Sequence, residues 1–248
     1  MLQIRRALIL FVLLFLAPLG THAAWWSAHD HPASFAVADW SASGVLAPAK
    51  SEPEAVVHVL AGRTGRWKGI FAHHSWIVVK PRGASRYTRY EVVGWGNPVR
   101  TDAYAPDGRW YGDTPVILTT LRGDAAERAI PRIKAAVVAY PHAARGSYTI
   151  WPGPNSNTFV ATIVRDVPEL AGGLLPTALG KDYAGPWLYA GATPSGTGWQ
   201  LSLRGAMGLS VGWVEGVEIN LFGLVAGVDV RRPALKLPGW GRVGLATG

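Results

Sequence analysis

Short runs of β-branched and aromatic residues, separated by turns, predict strands in the first half of the chain. The runs lie at 54–61, 69–80, 86–94 and 114–121, and the first of them fits either a strand or a short helix. The second and third are joined by a short proline- and glycine-containing turn, so we expect a hairpin. Along 69–80, a period of two places His73 and His74 on opposite faces, so one histidine faces inward whichever side is buried.

Two other stretches have the periodicity of amphipathic helices. Asp124 and Glu127 form a capping-box pattern that should open a helix running to Val138, kinked or restarted at Pro131. The second helix should begin at residues 155–157 and end at Pro168, with its apolar stripe at i, i+4 spacing. A short strand at 148–151 and a rigid Pro-Gly-Pro turn are predicted before it.

The second half of the chain again shows strand patterns. Segments 199–204, 208–214 and 217–222 predict a meander that covers the core, followed by an extended basic tail at 231–238. We therefore expect an α+β fold: a mostly antiparallel sheet with two or three packed helices, plus a C-terminal β meander. No repeat and no domain break is evident, so residues 27–248 are predicted to be a single domain.

The first 26 residues have the pattern of an export signal or a membrane anchor. Arg5 and Arg6 precede an apolar run that ends in small residues, and Thr21 and Ala23 suit cleavage after Ala23. If the run extends through Trp26, it becomes long enough for a retained single anchor. Both alternatives predict export, with the protein either periplasmic or anchored to the inner membrane facing the periplasm.

Composition narrows the classes of ligand and site. The net charge of +8 favours an anionic cell-envelope component, such as wall peptide, glycan or lipid. No basic run indicates nucleic acid. Cysteine is absent, which excludes thiolate chemistry. The His29–His31 pair has no third ligand near it, so neither a metal nor another cofactor is predicted. The oligomeric state does not follow from the sequence.

The polar triplet at the start of the second helix suggests acyl-transfer chemistry. Unpaired N–H groups at a helix N-terminus stabilise negative charge, and a hydroxyl there suits a nucleophile. Ser156 is the candidate nucleophile and His74 or His73 the candidate base. The alternative is structural: asparagine and serine at such a position commonly cap the helix, and a histidine in an aromatic-rich strand commonly belongs to the core.

The remaining candidate residues would orient the base or bind the substrate. Either Glu91 or Asn97 could orient the imidazole. The N–H groups of Ser156 and Asn157, or the amide of Asn155, could hold an oxyanion. Trp76 shares a face with His74 and is assigned to substrate binding.

Three strings carry a resemblance to a known family. They are 74–80 (HSWIVVK), 87–96 (YTRYEVVGWG) and 152–159 (PGPNSNTF). They resemble an uncharacterised bacterial family, domain of unknown function 3750, which implies an envelope location and no particular activity. A histidine on an early strand followed by Asn-Cys-Asn-x-Phe at a helix start is typical of circularly permuted papain-like enzymes, including lecithin–retinol acyltransferase-like and PPPDE-type proteins. Residues 155–159 are similar, with serine in place of cysteine.

Two functions are therefore predicted as alternatives. One is an exported acyl or amide hydrolase of the permuted papain-like type, with Ser156 in the nucleophile position. The other is a non-catalytic envelope module that binds glycan or lipid on the same fold, for which the 12 tryptophans offer aromatic surface.

Overall fold

A computed structural model describes residues 2–244 and has two antiparallel sheets with packed helices, the α+β arrangement predicted from the sequence. The first sheet has the order β4-β3-β2-β1-β5. Its strands are β1 (Val56–Arg63), β2 (His73–Lys80), β3 (Thr88–Val92), β4 (Val99–Thr101) and β5 (Val116–Arg122). The predicted hairpin is β2–β3, and the segment at 54–61 is a strand rather than a helix. Strand β4 lies where no strand was predicted.

The N-terminal segment is helical from Leu2 to Ser27. It consists of α1 (Leu2–Phe11), a π-helical turn (Val12–Leu16) and α2 (Ala17–Ser27). It has 26 residues and contains an 18-residue window with a mean hydropathy of 2.1, so its length and composition fit a signal peptide or a membrane anchor. At its end, the side chains of His22 and Trp26 pack into the folded body.

Two further helices pack on one face of the first sheet. They are α3 (Gly123–Val138) and α4 (Ser156–Asp166). Their apolar stripes meet Val57, Val59 and Ile77 in the main core. The opposite face of the sheet holds a smaller aromatic core around Trp76 and Trp110. β2 is thus buried on both sides, which explains its nearly continuous burial.

Two local predictions in this half of the chain are wrong. Residues 148–151 form no strand, because no neighbouring strand pairs with them and the chain bends from Ile150 onward into the proline turn. The Asp124–Glu127 capping box is also absent. Asp124 and Glu127 instead form ion pairs with Arg82 in the β2–β3 turn, and Pro131 lies inside an uninterrupted α3.

The C-terminal meander is a seven-stranded sheet in simple sequential order. Its strands are β6 (Leu188–Ala192), β7 (Gly198–Leu203), β8 (Met207–Gly212), β9 (Gly216–Leu221), β10 (Leu224–Asp229), β11 (Ala234–Leu237) and β12 (Gly241–Gly244). It packs against the rest of the protein through a polar face, and within the described residues neither apolar core includes any of its side chains. The predicted C-terminal meander is confirmed, and the side chains that it turns inward are mostly polar.

Candidate functional site

A turn with two prolines precedes α4, and Asn155 caps the helix. The Trp151–Pro152 and Gly153–Pro154 peptide bonds are both cis. The Asn155 side-chain oxygen accepts hydrogen bonds from the N–H groups of Asn157 and Thr158, at 2.9 and 3.2 Å. Its amide nitrogen donates to the carbonyls of Ile150 and Leu179. Because these bonds use the whole amide group, Asn155 is not available for the oxyanion role considered from the sequence.

Ser156 is the first residue of α4, and its hydroxyl takes no part in the cap. The side chain lines a cleft and approaches the phenol of Tyr148. Burial raises the pKa of Tyr148 to about 12, and the contact with Ser156 opposes this rise. Tyr148 therefore stays protonated at neutral pH and faces Ser156 as a neutral phenol. The capping role, the main structural alternative for Ser156, belongs to Asn155.

Asn157 ties the helix to β2. Its amide nitrogen donates to the carbonyl of His73 at 2.9 Å and to that of Leu179 at 2.8 Å. Its side-chain oxygen is buried without a partner. Asn157 therefore positions the start of the helix. Its backbone N–H donates to the side chain of Asn155, so of the two predicted oxyanion donors the cap leaves only the N–H of Ser156 free.

His73 lies on the helix-facing side of β2, with Ile77 and Val79. Its Nδ1 is hydrogen-bonded to the hydroxyl of Thr177 at 2.8 Å. Burial, with smaller contributions from the charges of Arg63 and His22, holds the pKa of His73 well below its usual value. His73 is therefore a neutral imidazole at physiological pH.

His74 lies on the opposite face and forms a buried pair with Glu91. Its Nε2 is 2.9 Å from Glu91 Oε2, and Arg89 Nη2 lies 2.8 Å from the same oxygen. Burial lowers the pKa of His74 more than Glu91 raises it. Burial alone would raise the pKa of Glu91, but the hydrogen bonds and charges of His74 and Arg89 outweigh it and hold that pKa low. The pair thus consists of a neutral imidazole, donating through Nε2–H, and a carboxylate.

Aromatic rings fix this pair in place. The imidazole of His74 stacks on Trp110 with ring centroids 3.6 Å apart. The guanidinium of Arg89 lies 4.0 Å from the ring centre of Trp76. Trp76 is itself 0% exposed. The prediction that Trp76 binds substrate is therefore wrong, because its indole is a packing surface for Arg89. Asn97 is exposed on a loop, and Glu91 is the residue that orients His74.

A single cleft with a cavity volume of about 80 Å³ brings the candidate groups together. Ser156, His73 and His74 all contribute to its wall. Aromatic side chains form much of the rest: Phe71, Trp95, Trp110, Tyr111 and Tyr148. The cleft lies where the first turn of α4 meets the start of β2, so the N-terminal dipole of the helix points toward it.

A support segment, residues 177–182, holds the start of α4 from behind. The carbonyl of Leu179 accepts hydrogen bonds from the amides of Asn155 and Asn157, and the carbonyl of Gly180 accepts one from Thr158. Lys181 then forms a buried ion pair with Glu218 on β9. The geometry of the cleft therefore depends on contacts that reach into the C-terminal sheet.

Sequence reasoning missed three groups in and around this cleft. Arg89 could have been found, because it shares the i, i+2 face of β3 with Glu91 and a buried carboxylate needs a counter-ion. Trp110 and Thr177 had no such signal, since each lies in an irregular segment that reaches the histidines only through the fold.

Comparison with known proteins identifies the family but no characterised relative. No curated protein and no solved structure matches the chain significantly. Residues 54–183 match the family described as Protein of unknown function (DUF3750). The matched region extends from the start of β1 to the support segment, and includes β2, β3 and all of α4. It covers more than half of the chain, and the protein therefore belongs to the DUF3750 family.

Proposed function

We propose that this protein is an exported cell-envelope hydrolase that cleaves acyl or amide bonds, with Ser156 as nucleophile. The observation that carries the proposal is the shared cleft, which is lined by a helix-start serine outside the cap and by His74, the buried partner of Glu91. A serine hydroxyl is a weak nucleophile and depends on a neutral base. His74 meets that requirement because burial keeps its imidazole uncharged.

The proposed reaction uses the two ring nitrogens of His74 differently. His74 faces away from α4, but it is the second residue of β2, and the cleft reaches both faces of the strand at this end. Glu91 holds Nε2–H, which leaves the lone pair on Nδ1 to accept the Ser156 proton across the strand end as Oγ attacks the substrate carbonyl. The N–H of Ser156 faces the developing oxyanion at the positive end of α4. Protonated Nδ1 then gives its proton to the leaving amine or alcohol. Water, deprotonated by the same nitrogen, hydrolyses the acyl-enzyme and restores Ser156.

The net charge of +8 favours a substrate on an anionic surface, such as wall peptide or lipid. The relation to permuted papain-like enzymes belongs to the same proposal. It is supported by the Asn-Ser-Asn triplet at the helix start and by the histidine strand beside it.

The test is labelling of the purified protein with a serine-reactive fluorophosphonate. Wild type should be labelled at Ser156, whereas Ser156→Ala and His74→Gln should lose the label. His58→Gln is a matched control: His58 is a buried histidine of the same sheet, bonded to Thr120 and outside the cleft. Folding of every variant is checked by circular dichroism. Absence of label on folded wild type, or equal labelling of Ser156→Ala, would falsify the proposal.

A second candidate function is non-catalytic binding of glycan or lipid in the same cleft. The aromatic wall favours it, since Trp95 is 48% exposed there and exposed aromatic faces stack on sugar rings. Pull-down on wall glycan or lipid overlay distinguishes the two. Binding that survives Ser156→Ala but is lost in Trp95→Ala, without fluorophosphonate labelling, would favour the binding module.

A further inference from the structure

The C-terminal sheet has its apolar side chains on the outside. One complete row of paired residues crosses all seven strands without a polar member: Ala192, Trp199, Val211, Val217, Val228, Leu235 and Val243. The neighbouring row on the other face is polar at most positions: Gly191, Gln200, Ser210, Glu218, Gly227, Lys236 and Arg242. Soluble sheets of this kind normally have the opposite arrangement.

The polar side chains of the inner face have ion-pair and hydrogen-bond partners inside the protein, and these partners fix which face of the sheet points outward. Lys181 and Lys236 both pair with Glu218, and Gln200 and Asn220 donate to Asp182 at 2.9 and 2.7 Å. Flipping the sheet would leave these charged and amide groups without partners. The outward direction of the apolar face is therefore built into the fold.

The outer face is large and has no charged residue within its rows. A second row adds Leu201, Leu209 and Ile219, and a third adds Leu203 and Met207. Most of these side chains are between a third and a half exposed, for example Trp199 at 47%. Contiguous apolar patches of more than a few hundred Å² are rare on soluble monomers and mark interaction sites.

The N-terminal helix indicates what covers this face. Ala226 belongs to the outer face through its pairing with Ile219, yet it is buried, because the helical turn Val12–Leu16 contacts β10 and buries Phe15 there. Further along, Trp240 Nε1 donates to Thr21 Oγ1 at 3.0 Å. The helix that is apolar enough for a bilayer thus contacts the sheet, and most of its leucines are exposed.

The ends of the strands have the residues of a membrane interface. Trp187 and Phe222 are strongly exposed at one end of the sheet and Trp213 at the other. Arg204 lies 5.1 Å from the ring centre of Trp187. Aromatic and basic side chains around an apolar patch are typical of surfaces that rest in lipid headgroups.

We propose that the outer face of the β6–β12 sheet is a membrane-docking surface that contacts the lipid bilayer beside the N-terminal helix. A flat second copy is the less suitable occupant, because the N-terminal helix contacts β10 and would stand between the two facing sheets there. The cleft, on the other half of the protein, would then work at a fixed position relative to the membrane. This inference does not depend on the proposed hydrolase activity.

The absence of cysteine allows a direct test with single-cysteine variants of the full chain. Leu209→Cys reports on the outer face. Val138→Cys is the matched control, an 87% exposed apolar position at the end of α3. Leu13→Cys on the N-terminal helix reports that the protein has inserted. Each variant carries an environment-sensitive fluorophore and is reconstituted in phosphatidylglycerol-containing vesicles with and without nitroxide lipid.

The label at Leu209 should be blue-shifted and quenched by about half or more, because an interfacial apolar face lies ~5–10 Å into the bilayer boundary. The label at Val138 should be unaffected. A Leu209 label that stays unquenched while Leu13 is quenched would overturn the proposal. So would efficient disulfide formation between two Leu209→Cys chains, since that outcome would make a second copy the occupant.

Discussion

The substitution Glu91→Gln tests whether the buried Arg89–Glu91–His74 cluster holds the site together. Arg89 and Glu91 are both 0% exposed, and the variant keeps the shape of residue 91 while removing the only carboxylate bonded to the guanidinium among residues 2–244. At 2.8 Å, an effective dielectric of about 20 gives an attraction of roughly 6 kcal/mol. The loss of this attraction is partly offset, because a neutral amide at position 91 costs less to bury than a carboxylate.

Arg89 keeps a hydrogen bond to the carbonyl of Ala105 and the ring of Trp76. We therefore expect the free energy of unfolding to fall by about 3 kcal/mol, the lower end of the range for breaking one side of a buried pair. Urea denaturation at pH 7.5 measures it, with the m-value checked for two-state behaviour.

The matched control is Glu127→Gln. Glu127 forms an equally close pair with Arg82, at 2.7 Å, but both side chains are about half exposed. Solvent screens such a pair, so the control should leave stability unchanged. The reasoning is refuted if Glu91→Gln is as stable as Glu127→Gln, since the cluster would then be hydrated or differently paired.

Two further predictions concern the histidines and the helix cap. The pKa of His73 is lower in the folded than in the unfolded protein, so the unfolded state binds the proton more readily. Stability is therefore lost as the pH falls below about 6.5. Between pH 7.5 and 5, His73 should lower the free energy of unfolding by about 2 kcal/mol. Urea titrations at both pH values should show the loss in wild type and a smaller loss in His73→Gln; equal losses would contradict the assignment. Asn155→Ala should cost about 2 kcal/mol, because a cap and two buried hydrogen bonds disappear, whereas Ser156→Ala should cost no more than about 0.5 kcal/mol. If the two substitutions are equally costly in urea, Ser156 has a structural role that the hydrogen bonds do not reveal.

Helix α4 was predictable because its signals are local. The cap, the apolar stripe and the closing proline all lie within about one helix length, and they act on the same segment. The prediction of a strand at 148–151 was wrong for the opposite reason. Its residues favour an extended conformation, but a strand exists only where another strand pairs with it, and no local pattern shows that partner.

The capping box at Asp124 shows how a distant partner overrides a local motif. Arg82 is 42 residues away in sequence, yet it takes the carboxylates that would have closed the first turn of α3. Similarly, alternation revealed the strands of the meander but not their sidedness. A period of two is the same whichever face is inward, and only the buried partners of Glu218 and Asp182 settle the question.

For the candidate site, sequence reasoning selected the helix start and the histidine strand but not their surroundings. His74 and Glu91 are 17 positions apart on adjacent strands of a predicted hairpin, so their pairing could be anticipated. The opposite orientations of His73 and His74 also followed from alternation. The sequence did not show which of the two histidines contacts Glu91. That depends on the aromatic core, to which Trp110 is contributed by an irregular loop.

The support segment has a practical consequence for work on this family. The matched region ends at residue 183, directly after Lys181 and Asp182, whose partners Glu218, Gln200 and Asn220 all lie in the meander. A fragment that ends at the family boundary would leave the charges of Lys181 and Asp182 without their partners in the meander. The backbone carbonyls that accept hydrogen bonds from Asn155 and Asn157 would then be held less firmly. Expression of residues 54–183 alone should therefore yield a poorly folded product, and mutational surveys of the cleft require the chain through β12.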